Sequence, residues 1–231
     1  KKKNEKEYKR IFETYKIQFI HQSVTIEGNP ITLPDTIKIL KDEIIPRDLA
    51  LEDVSEVLNY QKAVTKMLKD AVQKKELTKD SILYYHQLAL FHRPHIAGKI
   101  RTVSVYIRGN TDFKVAPVSE IKKDIDKILE QYKQFIKKKS SLKEILVFSS
   151  YFHNEFQYIH PFEDGNSRTT RLLMFHILQR SRIPILDIPL GLLDEYVRDT
   201  KGAKKREDEK LFQTLQKIIL YNLKRINEQL K

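Results

Sequence analysis

Apolar side chains recur along this chain at helical spacing. Val54, Val57, Leu58, Val64, Leu68 and Ala71 share one face of a 3.6-residue repeat, and Ile145, Phe148, Phe152, Phe156 and Ile159 form a second such stripe. Leu172, Leu173, Phe175, His176 and Leu178 belong to a third helix that begins just after Asn166. One stretch, residues 99–117, has a different texture: β-branched residues flank a Gly109-Asn110 turn signal, which predicts a short hairpin. The runs 137–143 and 201–210 are charged and poor in apolar residues, and read as exposed connections. No internal repeat is visible. The pattern predicts a mainly α-helical domain preceded by an N-terminal extension, and the six glycines in 231 residues fit tight connections between helices.

Composition narrows the chemistry. With no cysteine, disulfides, thiolate nucleophiles and Cys-ligated zinc are excluded, so any metal must sit on oxygen or imidazole. Apolar runs such as 145–148 end after four residues, and the initial Lys-Lys-Lys-Asn lacks a signal peptide's apolar stretch, so no membrane partner and a cytoplasmic location are expected. Lysine and arginine total 43 against 31 acids, a formal charge of +12. Lys122, Lys123, Lys127 and Lys133 alternate with acids, as on a solvated helix face, and no stripe of exposed aromatics interleaves them. The charge therefore reads as solvation and assigns no partner.

Residues 160–171 read His-Pro-Phe-Glu-Asp-Gly-Asn-Ser-Arg-Thr-Thr-Arg, an order that fits an anion site at a helix start. Asn166 is a candidate N-cap, Gly165 lets the backbone turn sharply before it, and the first-turn N–H groups through Ser167, Thr169 and Thr170 are available to a phosphate. Arg168 and Arg171, three apart, can reach one polyanion. Asp164 offers a hard oxygen for Mg²⁺ tied to substrate phosphates. His160, at the end of the preceding helix, has the near-neutral titration that suits a general base.

This segment resembles the signature of the Fic family, His-x-Phe-x-Asp/Glu-Gly-Asn-Gly-Arg-x-x-Arg, at every fixed position but one; Ser167 stands in place of the second glycine. The resemblance implies an all-α, Fic-like helical bundle with a short β-hairpin flap, and transfer of AMP from ATP to a Ser, Thr or Tyr hydroxyl of a target protein. It implies that His160 deprotonates the hydroxyl, Asp164 holds Mg²⁺, Asn166 and Arg168 stabilise the phosphates, Arg171 binds the γ-phosphate, and Phe162 anchors the loop. Gly98, Arg101 and the following hairpin resemble the flap, whose tip, Ile107, Arg108, Gly109 and Asn110, borders the nucleotide and which holds a target peptide by strand addition. Tyr196 lies where some members place an aromatic ring on adenine; a core tyrosine on a helix fits that position equally well.

Near the N-terminus, Ser23-Val-Thr-Ile-Glu27-Gly28-Asn29 resembles the family's inhibitory motif, Ser/Thr-x-x-x-Glu-Gly/Asn. Ser23 and Glu27 share a helix face, and Gly28-Asn29-Pro30 makes a helix stop directly after the glutamate. A carboxylate there can pair with Arg171, occupy the γ-phosphate position and hold ATP in an unproductive pose. The expected organisation is an N-terminal helical region with this motif, residues 1–75, and a catalytic core, residues 76–231.

Two other readings use the same residues. Glu27 can orient water to remove AMP from a modified protein, or another group, phosphate or phosphocholine, can be the one transferred. From a different class, the chain is a catalytically impaired interaction or nucleic-acid-binding module, with Ser167 as the lesion. The resemblance also implies self-modification and homodimers, and leaves nucleic acid only to a segment outside this sequence.

Overall fold

The computed structural model describes residues 2–107, 110, 112–184, 186–202 and 206–230, with side chains described at these positions except 2–4 and 201–202. In chain order the helices are α1 (Lys2–Thr25), α2 (Leu33–Ile37), α3 (Leu51–Val72), α4 (Lys79–Ala89), α5 (Ile121–Ile136), α6 (Leu142–Ile159), α7 (Asn166–Arg180), α8 (Leu190–Val197) and α9 (Asp208–Gln229).

Local chemistry starts several of them. Thr78 and Ser81 form a reciprocal capping box on α4, with Ser81 N–H donating to Thr78 Oγ1 at 3.1 Å and Thr78 N–H to Ser81 Oγ at 2.8 Å. Ser141 and Glu144 do the same for α6. Each box satisfies two of the N–H groups that a helix start leaves without intrahelical partners.

The centre of the bundle is α7, in which Leu172, Leu173, Met174, Phe175, Ile177 and Leu178 are all buried. A helix apolar on every side must be surrounded, and α7 packs against α1, α3, α4 and α6. From α3 come Val54, Val57, Val64, Leu68 and Ala71, the predicted stripe, with Leu58 partly buried beside it. From α6 come Phe152, Phe156 and Ile159, fully buried, with Ile145 and Phe148 at the margin. The N-terminal helix is part of the same core: Ile11, Tyr15, Phe19, Ile20 and Val24 are buried, and the Phe19 ring lies 4.5 Å from that of Phe175.

The hairpin expected over residues 99–117 takes a reduced form. Among the described residues there is no strand, only one antiparallel bridge between Ile107 and Asn110, with Asn110 N–H donating to Ile107 C=O at 3.0 Å. The backbone of each arm also hydrogen-bonds to the last turn of α6 or the residues just after it. Arg101 N–H donates to Pro161 C=O and Ala116 N–H to Tyr158 C=O, each at 2.9 Å. Arg108 and Gly109, at the predicted tip, lie outside the described residues. No described helix is long and apolar enough to cross a membrane.

Candidate active site

The loop joining α6 to α7 is held by its own side chains and by α4. His160 ends α6 in a left-handed conformation, φ 45° and ψ 57°, with its N–H still on Phe156 C=O at 3.0 Å. Phe162 is fully buried and its ring stacks on His86 of α4, centroids 3.7 Å apart and planes within 6°. The His86 ring is a two-ended bridge. Gly98 N–H donates to its Nδ1 at 2.8 Å, so its proton lies on Nε2, which donates to Asp164 C=O at 2.9 Å. Burial pushes the His86 pKa down to about 4, which keeps this neutral tautomer in place.

Gly165 caps α7 with φ +75°, and a Cβ there would come within 2.6 Å of Leu90 Cδ2, so both backbone and space require glycine. Asn166 is therefore not the N-cap. It is the first residue of α7, and its amide clamps the loop instead: Oδ1 accepts from Phe162 N–H at 2.9 Å and Nδ2 donates to Phe162 C=O at 2.8 Å. Ser167 sits in the helical first turn, with no positive φ to strain its side chain.

Four ion pairs meet at this helix start. Asp164 pairs with Arg93 and, at 3.3 Å, with Arg168. Burial alone would raise the Asp164 pKa, but Arg168, the Gly165 N–H and Arg93 outweigh it and hold the carboxyl below its ordinary value. Arg168 also pairs with Glu56 of α3, whose other oxygen accepts from Asn29 Nδ2 at 2.8 Å. Arg171, only 2% exposed, donates to Glu27 Oε1 at 2.9 Å and to Ser23 C=O at 2.7 Å. Burial opposes its charge, yet Glu27, with Tyr196 and Tyr60 behind it, raises its pKa overall. Helix α1 stops at Thr25. Glu27 stands in the following turn, which Gly28 completes at φ 101° with its N–H on Thr25 C=O.

These groups border a cleft of about 820 Å³ between the turn after α1, the start of α3, the 104–107 arm and the α6–α7 loop. Asp164, Gly165, Asn166, Ser167, Arg168, Ile107 and Glu27 line it, as does His160. Thr169 and Thr170 are buried in α7 behind it, Thr170 Oγ1 donating to Asn166 C=O at 2.8 Å. Tyr196 is likewise a core residue rather than a wall of the cleft: it is 1% exposed and its hydroxyl lies 3.4 Å from His153 Nε2. Glu56, His86 and Arg93 are site residues that neither motif marked, and Asn29, read from sequence only as part of a helix stop, joins them through Glu56. They come from separate helices and loops, and no local spacing links them to residues 160–171.

His160 Nδ1 lies 3.1 Å from Gln157 C=O, an acceptor only, so the proton of the neutral ring belongs on Nδ1 and the lone pair on Nε2. Burial lowers its pKa to about 4, against the raising influence of the Gln157 carbonyl, and Arg101 lowers it further while Glu27 and Asp164 raise it. At neutral pH the ring is an uncharged base. The single carboxylate of Asp164, 43% exposed beside the helix start, fits the one-carboxylate-plus-phosphates manner in which Mg²⁺ is commonly held.

A model described as the Fic/DOC family matches residues 76–178. The protein adenylyltransferase Fic of Drosophila persimilis is 32% identical over 190 residues, which cover 81% of this chain and 36% of that protein. Its counterpart in Nematostella vectensis is 32% identical over 179 residues, covering 76% and 40% respectively. The chain thus spans little more than a third of the length of these curated relatives. Among solved structures, Fic-1 (aa134–508) from C. elegans superposes with a TM-score of 0.79 at 26% identity, covering 94% of this chain and 63% of that one. A Fic domain containing signaling protein from Bacteroides thetaiotaomicron superposes at 0.83 with 19% identity, covering 97% and 91%, which shows the shared fold.

Proposed function

Because this chain belongs to the Fic/DOC family, we propose that it transfers AMP from ATP to a Ser, Thr or Tyr hydroxyl of a target protein, with His160 as base and Glu27 as an internal brake. The observation that carries this reading is the neutral His160 imidazole on the same cleft as Asp164, Asn166 and Arg168, with Arg171 directly behind and paired to Glu27. Curated relatives bearing the name protein adenylyltransferase Fic support it.

In this reaction Nε2 of His160 takes the hydroxyl proton while the hydroxyl oxygen attacks the α-phosphorus. The new oxygen–phosphorus bond forms as the α–β phosphoanhydride bond breaks and pyrophosphate leaves. A positioned base typically contributes about 10² to 10⁴ in rate. Arg168 and the first-turn N–H groups of α7 supply fixed positive charge for the phosphates, in the manner of helix-start anion sites. Mg²⁺ on Asp164 would neutralise phosphate charge.

Glu27 acts by occupying Arg171. A γ-phosphate and the Glu27 carboxylate compete for the same guanidinium, so the ion pair excludes the productive pose of ATP and weakens its binding. On this reading residues 1–75 carry the brake and residues 76–231 the catalytic core. Glu56, within the first region, reaches across to Arg168 and adds a second carboxylate competitor for phosphate.

Incubation with α-³²P-labelled ATP and Mg²⁺ tests the proposal. Label on protein should appear or rise in Glu27→Gly and vanish in Glu27→Gly/His160→Ala; label from γ-³²P-ATP instead would identify phosphate transfer. Absence of protein label in Glu27→Gly, with added cell extract as a source of targets, would sink the reading.

A further inference from the structure

Arg101 is 2% exposed, and no carboxylate pairs with it among the described residues. Its guanidinium is used entirely on backbone carbonyls. Nε donates to His160 C=O at 2.7 Å, one terminal nitrogen to Val103 C=O at 2.9 Å, and the other to Ala116 C=O at 2.6 Å. Its own N–H donates to Pro161 C=O at 2.9 Å. One side chain therefore gathers the outgoing arm of the 101–117 segment, its returning arm and the residue that ends α6.

A buried cation without a counter-charge is unfavourable, and burial indeed lowers the Arg101 pKa. Such a group persists where its geometry does something that an apolar residue cannot. Here the requirement is at His160, a non-glycine residue at φ 45°, a backbone conformation that L side chains adopt at a cost. That conformation turns the His160 carbonyl away from the α6 ladder, and Arg101 Nε is the donor that receives it. The same planar fork sets the separation of the two arms, because all its donors are rigidly disposed.

On the AMP-transfer reading above, we infer that Arg101 is a positioning residue that fixes the His160 imidazole relative to the two arms of the 101–117 segment, so that the base and the segment beside it are aligned by one guanidinium. Arg101 touches neither nucleotide nor target in this role; it acts through His160 and through the carbonyls of Val103 and Ala116. The charged and titratable groups acting on the imidazole are Arg101 from this segment, Glu27 from the turn after α1 and Asp164 from the α6–α7 loop.

The test uses the whole chain in a Glu27→Gly background, with Arg101→Gln and Arg101→Lys. Histidine ring signals are followed by NMR against pH, His160→Ala assigning the resonance, and amide exchange is measured across residues 101–117. Arg101→Gln should raise the His160 midpoint by about one unit, since a nearby cation is removed, while His86, His153 and His176 keep their midpoints. Arg101→Lys should keep the His160 midpoint low, because the charge remains, yet speed exchange at Ala116 at least about tenfold, because an ammonium lacks the guanidinium's planar, multi-pronged geometry. AMP transfer should fall in both variants. Should Arg101→Gln not fold, the Arg101→Lys exchange result decides alone. Unchanged His160 titration with unchanged exchange overturns the inference, and so does a common shift of all four histidines, which marks general loosening. These NMR readouts need no turnover, so absence of transfer in the parent, with the NMR results as expected, counts against the enzymatic reading and not against the positioning role.

Discussion

Arg171 and Glu27 are 144 residues apart in the chain and 2.9 Å apart in space. The contact occupies a guanidinium buried behind the cleft, and a second oxygen, the Ser23 carbonyl at 2.7 Å, holds the same nitrogen. Glu27→Gln retains the shape of the turn and removes the charge. It is expected to tighten ATP at least about tenfold, roughly 1.4 kcal/mol, as measured by calorimetry with Mg²⁺. In Arg171→Ala the same substitution should change affinity little, since the partner is gone. Equal effects in both backgrounds would show that Glu27 acts elsewhere.

Four buried histidines make stability depend on pH. His86, His153, His160 and His176 all have pKa values lowered to about 4, burial being the largest cause in each. Their unfolded value is about 6.5, so the unfolded state binds more protons between these limits and stability rises with pH. Their contribution is fully present above pH 6.5 and declines as pH falls toward 4. At pH 5 each costs on the order of 1 to 2 kcal/mol relative to pH 7.5. Urea unfolding at the two pH values measures the sum, and His160→Ala should reduce the difference.

Gly165→Ala combines a positive φ with a contact of 2.6 Å to Leu90. A loss of about 1 to 3 kcal/mol is expected, seen as a fall of several degrees in Tm. Adding Leu90→Ala relieves the contact but not the backbone strain, and empties core volume of its own, so the double variant should not regain the parent Tm.

Ser167→Gly restores the residue that the Fic signature carries. Because Ser167 already lies in the α7 first turn without positive φ, the glycine gains no backbone freedom that the site needs. AMP transfer in the Glu27→Gly background should change less than about threefold, and Tm should fall slightly, as glycine in a helix costs roughly 0.5 to 1 kcal/mol. A large gain in transfer would show that the serine side chain obstructs the nucleotide.

The helices were legible wherever burial imposes a period. The stripes on α3, α6 and α7 are the faces that the structure buries, but α1 stops at Thr25, two residues before Glu27, so Glu27 stands in a turn and not on the helix face that its spacing from Ser23 predicted. What periodicity does not encode is which polar group waits opposite. Glu56 meets Arg168 across 112 residues and His86 meets Asp164 across 78, so neither has a local signal. Tyr196 illustrates the same gap: its helical position was readable, but its burial beside His153 depends on α6 and α8 meeting. In residues 99–117 the β-branched pattern promised a ladder, whereas helix-end carbonyls offered nearer partners.

The anchoring of α1 limits how Glu27 can ever leave. Ile11, Phe19, Ile20 and Val24 are buried, and exposing four such side chains costs about 6 to 12 kcal/mol, as much as a whole domain's margin against unfolding. Gln22 adds a two-way bond to the backbone of Ile188, donating to its carbonyl at 2.7 Å and accepting from its N–H at 2.8 Å. The helix is a wall of the building rather than a door in it. On the reading of Glu27 as a brake, a release that leaves α1 packed must come from residues 26–28, between the last turn of α1 and the buried Asn29.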